Sequence, residues 1–157
     1  MSRDVQHLHP LLQPLCRRHL DLASREITTA RCILSFTYRS IKEQDELYLR
    51  GRDVNGRITN PKLIVTYARG GASWHNTERR GVPSSLAYDL LLVDISQKPL
   101  RSEKVEWQIL GHIGLDLGLD WGVDGPRGKY DLGHFYLRGA NRITLADAKS
   151  GIEPLLA

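Results

Sequence analysis

The chain has 157 residues, 41% hydrophobic and 25% charged, with a net charge of +4 at pH 7, and it is long enough to bury a core without disulfide staples. Its two cysteines, Cys16 and Cys32, are too few for a disulfide framework or a thiolate zinc site and read as reduced core residues. No apolar run approaches the ~20 residues that cross a bilayer, and Met1 to His7 lack the apolar stretch of a signal peptide.

From Pro10 to Ile27, Leu11, Leu12, Leu15, Cys16, Leu20, Leu22 and Ala23 recur at helical spacing. Cys32 to Tyr38 is rich in β-branched and aromatic residues and reads as a strand. Ser40, with Glu43 three positions on, predicts a capping box for a helix through Leu49, which Gly51 ends. Arg52 to Pro61 reads as an exposed loop, Leu63 to Tyr67 as a short extended piece, and Leu86 to Asp94 as a buried strand. Ser102 and Glu103 are expected to open a helix running to about Leu117. Glycines then crowd the chain as far as Gly133, before a last strand at Phe135 to Leu137 and a short helix from Thr144. No repeat or linker interrupts this order. Helices precede and separate strands without a regular βαβ alternation, which predicts a single α+β domain over 1–157 with a small, mainly antiparallel sheet.

Ionisable residues stand out where their surroundings are apolar or tightly turned: Ser73-Trp74-His75-Asn76, Ala87-Tyr88-Asp89, and Asp131-Leu132-Gly133-His134-Phe135. A catalytic zinc needs three nitrogen or carboxylate ligands and one open position. Two histidines and one carboxylate from strand ends would supply them. A further carboxylate must take the proton of the attacking water, and Asp131 could fill that place.

The ordered set Ser73-x-His75, Ala87-x-Asp89 and Asp131-x-x-His134-Phe135 resembles the VanY-type zinc D-alanyl-D-alanine peptidases. That family includes phage endolysins acting as L-alanyl-D-glutamate endopeptidases. Tyr38-Arg39-Ser40 with Gln44 and Leu47-Tyr48 fits the same family, as do Val65-Thr66-Tyr67-Ala68 and Gly118-Leu119-Asp120-Trp121-Gly122, so the resemblance runs from about Phe36 to Leu137. It implies the DD-peptidase/Hedgehog-like zinc peptidase fold, one zinc ion on His75, Asp89 and His134, and Asp131 as catalytic base. It also implies that Arg39, Gln44 and Ser73 engage the substrate. An arginine fork suits the free carboxylates of cell-wall stem peptides.

The chain departs from the family pattern in three places. Thirteen residues separate His75 from Asp89, a longer spacer than usual, and the insert Thr77 to Pro83 is expected to bulge at the mouth of the site. That leaves Glu78 and Asp94 as alternative carboxylate ligands. Gly133 stands where proline is common, and Tyr136 where glutamate is often found.

Rival readings are weaker. Asp120, Asp124, Gly125 and Asp131 echo a calcium loop, but Gly122 lacks the oxygen ligand that loop requires. Gly111, Gly114 and Gly118 do not form a dinucleotide motif. Among the tryptophans, Trp74 and Trp121 could line a substrate groove, while Trp107 reads as core. The basic residues are scattered without interleaved aromatics, which argues against nucleic acid. A non-catalytic cell-wall-binding module would not need the ligands and the acid together. The expected protein is therefore a monomeric peptidoglycan hydrolase acting on the stem peptide, without a separate wall-binding domain or stable membrane insertion. Its positive charge suits anionic envelope polymers. It is expected in the host bacterial cytoplasm, reaching the wall at lysis. The favoured bond is L-alanyl-D-glutamate, because cutting it frees glycan strands. D-alanyl-D-alanine carboxypeptidase activity is the alternative.

Overall fold

The computed structural model describes residues 1–122, 131–137, 144–152 and 154. Helix α1 (Leu12–Glu26) buries Leu12, Cys16, His19 and Ala23, one stripe at alternating spacings of four and three. This stripe packs on strand β1 (Arg31–Phe36) and on helix α3 (Glu106–Asp116). Helix α2 (Ile41–Leu49) starts as expected: the Ser40 side chain accepts from the Glu43 N–H while the Glu43 carboxylate accepts from the Ser40 N–H. It ends at Gly51, whose φ of +73° suits glycine.

The main sheet is antiparallel throughout, in the order β1-β4-β6-β5, with β4 at Ala87–Val93, β5 at Leu119–Trp121 and β6 at His134–Leu137. With helices flanking this small sheet, the chain has the α+β architecture read from the sequence. Strand β4 is hydrogen-bonded on both edges and almost entirely buried, which explains its unbroken apolar sequence. Tyr88 stacks on Phe135 with ring centroids 5.8 Å apart, and His19 meets Phe135 edge-on at 4.5 Å. The next residues along, Asp89 and His134, point to the opposite side because strand side chains alternate.

Strand β5 was not anticipated in the glycine-rich stretch. Gly118, at φ +82°, turns the chain out of α3 directly into it. The glycines of α3 serve packing. A Cβ at Gly111 would fall 2.4 Å from the Trp121 ring, and one at Gly114 would fall 2.6 Å from Phe135. Their absence lets α3 lie close against β5 and β6.

Other boundaries shift from the sequence expectation. Helix α3 begins at Glu106 rather than at Ser102, after a turn in which the Lys104 N–H donates to the Arg101 carbonyl. In place of the extended piece, Pro61 starts a single 3₁₀ turn (Pro61–Leu63), and residues 64–68 follow without ladder bonds. The insert is an ordered hairpin, β2 (Glu78–Arg79) and β3 (Val82–Pro83), rather than a bulging loop. Arg80 and Gly81 take φ of +53° and +76°, the two-residue turn that matches the twist of paired strands. Helix α4 (Leu145–Lys149), capped by Thr144, packs beside this hairpin.

Both cysteines are free, and burial pushes their thiols up to about 12. His19 is fully buried between two partners. Its Nε2–H donates to the Leu110 carbonyl at 2.9 Å, so Nδ1 accepts from the Tyr88 hydroxyl at 2.8 Å. Burial lowers its pKa from 6.5 to about 4, against a small opposing effect of the Leu110 carbonyl. Protons therefore bind the unfolded chain more tightly than the folded one. The contribution of this neutral histidine is complete above pH 6.5 and is lost as pH falls toward 4, at a cost on the order of 3 kcal/mol. Urea midpoints measured between pH 7 and pH 4 should fall steeply. His19→Gln should be less stable at pH 7 and show a flatter slope in that window, whereas an unchanged slope would mean that His19 is not the titrating group.

Candidate metal centre

Three elements bring His75, Asp89 and His134 together. His75 lies in a 3₁₀ turn (Trp74–Asn76) whose first N–H groups are capped by Ser73, the His75 N–H donating to the Ser73 hydroxyl at 3.3 Å. Asp89 and His134 face each other directly across β4 and β6, which places their side chains side by side. The turn carrying Asp131 and His134 is fixed from three sides. The Trp121 indole donates to the Leu132 carbonyl, the Leu90 N–H to the Gly133 carbonyl, and the His134 N–H to the Asp131 carbonyl.

The three side chains are buried, and one ligand atom from each lies within 4.8 Å of the others. His134 Nδ1 is 2.8 Å from Asp89 Oδ1, while His75 Nε2 is 3.3 Å from both Asp89 Oδ1 and His134 Nδ1. The Thr37 carbonyl, 2.5 Å from His75 Nδ1, can only accept, so Nδ1 carries the proton. Burial lowers the His75 pKa, although Asp89 pulls it the other way. With Nδ1 committed to Thr37, the ring turns its Nε2 toward the Asp89 carboxylate and His134.

Burial also opposes ionisation of Asp89, but the charge of His75 and hydrogen bonds from both histidines outweigh it and hold the carboxyl well below its usual range. Two imidazole nitrogens converging on one buried carboxylate form a donor set suited to a cation. Tetrahedral zinc with bonds of ~2.0–2.1 Å sets its ligand atoms about 3.3 Å apart. The donor set, orientation and spacing fit a metal ion.

Asp89 Oδ2 accepts from Arg39 Nη2 at 2.6 Å, leaving Oδ1 turned toward the histidines. Arg39 also donates to Gln44 Oε1 and lies 5.4 Å over the Phe36 ring. Its Nε is buried without a partner among the described residues. Gln44 is fully buried and donates to the Ala68 carbonyl and the Thr66 hydroxyl, so it braces a cleft wall instead of facing the cleft.

That cleft, about 680 Å³, is lined by residues 64–68, 72–75 and 131–134, with Arg39, Leu100, Ser102 and Trp107. Arg39, Ser73 and Asp131 therefore share one cavity with His75 and His134. Asp131 is exposed there, its Oδ1 accepting from the Gly133 N–H at 3.2 Å. Trp74 also lines the cleft, and Trp107, a buried member of the hydrophobic core as expected, borders it too.

No residue of the insert lines this cavity. The Glu78 carboxylate accepts from the Tyr38 hydroxyl, and Asp94 caps a turn by accepting from the Ser96 and Lys98 N–H groups. Neither belongs to the metal-capable group. Asp124 and Gly125 of the calcium-loop pattern lie outside the described residues. Two contributors escaped the sequence reading: the Thr37 carbonyl on His75, and Asn76, whose Nδ2 donates to the Arg39 carbonyl at 2.9 Å. Main-chain roles like that of Thr37 leave no trace in residue identity.

No protein-family model matches the chain. It is 36% identical over 105 residues to the peptidoglycan L-alanyl-D-glutamate endopeptidase CwlK of Bacillus subtilis (strain 168). The match covers 62% of this chain and 55% of that protein, so the chain spans about half the length of its curated relative. The match bears out the family resemblance read from the motifs.

The glycine at position 133 has a physical reason. A Cβ at Gly133 would lie 2.3 Å from the Leu90 carbonyl oxygen, a main-chain atom of β4. Gly133→Ala must push β6 away from β4, which should lower stability by about 1–3 kcal/mol. It should also weaken divalent-metal binding through His134. Thermal melts and chelator competition would check both effects, and an unchanged variant would contradict the close β4–β6 approach.

Proposed function

We propose that this chain is a zinc-dependent peptidoglycan hydrolase that cleaves the L-alanyl-D-glutamate bond of the stem peptide. The observation that carries the reading is the buried His75–Asp89–His134 group opening on the cleft that Asp131 borders. The similarity to an endopeptidase of stated peptidoglycan specificity supports the substrate class. Two imidazole nitrogens and one carboxylate favour zinc over the all-oxygen sites of calcium.

A zinc ion held by these residues supplies Lewis acidity toward water and the scissile carbonyl. Asp131 accepts the proton that the attacking water releases as its oxygen bonds to the carbonyl carbon. The same carboxyl returns that proton to the departing D-glutamate nitrogen as the C–N bond breaks, giving a new carboxylate and a free amine. Asp131 is suited to the shuttle because its side chain is exposed at the cleft. Arg39, with two donors already engaged by Asp89 and Gln44, holds the ligand carboxylate in register and borders the bound peptide. Ser73 caps the ligand-bearing turn.

The endopeptidase reading is preferred to D-alanyl-D-alanine carboxypeptidase because the hairpin insert does not wall the cleft. An internal peptide bond needs a groove open at both ends. The whole chain is proposed to act as one monomeric catalytic unit. Its net charge of +4 favours adhesion to anionic envelope polymers, an attraction that salt weakens. No helix among the described residues is long and apolar enough to cross a membrane. Release from the host cytoplasm at lysis is the proposed route to the wall.

Mass spectrometry of digested peptidoglycan should find new N-terminal D-glutamate, whereas release of free D-alanine alone would install the carboxypeptidase. Protein purified without added metal should contain about one zinc per chain. His75→Ala/His134→Ala should lose that zinc, and equal binding by the folded double variant would refute the site. Asp131→Asn should keep the zinc and the fold but lose turnover by ~10²–10⁴-fold. Loss of zinc in Asp131→Asn, with retention in Asp89→Asn, would show that ligand and base are exchanged.

A further inference from the structure

Strand β1 ends at Phe36, after a register irregularity between Leu34 and Phe36. The next residue, Thr37, therefore lies beyond the sheet ladder, yet its carbonyl aims the His75 ring. Thr37 is fully buried and is held from behind by the N-terminal arm. Its N–H donates to the Ser2 carbonyl at 2.9 Å, and its hydroxyl donates to the Asp4 carbonyl at 3.0 Å. The Ser2 N–H completes the pairing by donating to the Tyr38 carbonyl at 2.9 Å.

The arm is itself anchored. Asp4 caps a 3₁₀ turn (Val5–His7), and the segment beyond it bonds to Ser85, the His9 N–H donating to the Ser85 carbonyl and the Ser85 N–H to the His7 carbonyl. On its other side, the turn from Thr37 to Ser40 is tied to the ligand-bearing turn by three bonds. Besides the Thr37–His75 contact, the Arg39 N–H donates to the His75 carbonyl at 3.0 Å, and Asn76 Nδ2 donates to the Arg39 carbonyl. The connection runs without a gap from the arm through Thr37 to the imidazole ring whose Nε2 faces Asp89 and His134.

We propose that residues 2–4 are a positioning element for the metal centre, setting the orientation of His75 through Thr37. The inference rests on the metal-site reading above and extends it to a part of the chain that touches neither cleft nor ligand. Groups that orient a ligating histidine are typically worth 10–100-fold in metal affinity.

The test uses the full chain, purified metal-free, with two substitutions. Ser2→Pro removes the N–H given to Tyr38, and Thr37→Val removes the hydroxyl that grips Asp4 while keeping the side chain's shape. Zinc affinity is measured by competition with a chromophoric chelator, and exchange of the His75 Nδ1 proton with solvent is followed by NMR in the metal-free protein. The double variant should bind zinc ~10–100-fold more weakly and exchange that proton faster, and Thr37→Ser, which restores the hydroxyl, should stay near the wild type. Affinity and exchange both unchanged in the double variant would overturn the proposal. So would equal losses in Thr37→Ser and Thr37→Val, which would tie the effect to the overall packing of residue 37 and not to its hydroxyl. Should the double variant fail to fold, Ser2→Pro alone decides by the same two readouts. A folded wild type that binds no zinc would refute the metal site itself, and the proton exchange would still judge the arm.

Discussion

A carboxylate buried in the middle of a sheet is the constraint around which this molecule is arranged. An unpaired charge at the position of Asp89 would be prohibitively costly, so every element near it contributes something that pairs or orients it. The turn after β1 brings Arg39 to Oδ2, β6 brings His134 to Oδ1, and the Trp74–Asn76 turn brings His75. Arg39 is itself mostly buried, so each charge depends on the other. Removing one member of such a pair usually costs 3–5 kcal/mol because the survivor is left uncompensated. Site and fold consequently share their determinants.

The same arrangement couples ligand binding to folding. Because the Thr37 carbonyl fixes the His75 tautomer, the ring cannot turn its proton toward Asp89 without losing that bond. A cation bound by these converging donors would add its binding energy to the stability of the folded state. The glycines on α3 let that helix close on Trp121 and Phe135, on the face of the sheet opposite Asp89, while Gly133 lets the ligand-bearing turn close on β4.

How much of this was legible in the sequence depends on whether a feature resides in side chains or in the main chain. The Ser40–Glu43 capping box, the apolar run of β4 and the stripe on α1 are side-chain signals of short range, and they were legible. So was the proximity of His75, Asp89 and His134, though through an ordered motif and not through spacing alone. Strand β5 was hidden because three residues between glycines carry too little pattern. The hairpin in the insert was hidden because the Arg80-Gly81 turn is a weaker signal than asparagine followed by glycine. Arg39 illustrates a third kind of gap. Its chemistry suggested a grip on substrate carboxylates, and folding supplies it first with an internal carboxylate in Asp89.

The hairpin has a further consequence. None of its residues lines the cleft, its base is fastened through the Tyr38–Glu78 contact and α4, and a Cβ at its tip residue Gly81 would meet nothing within 4 Å. A peptide or small module spliced between Arg80 and Gly81 would begin and end at adjacent points, so its ends would be closed by the existing strand pair. The hairpin is thus a ready grafting point at which this scaffold could carry a surface-targeting segment without disturbing its buried carboxylate.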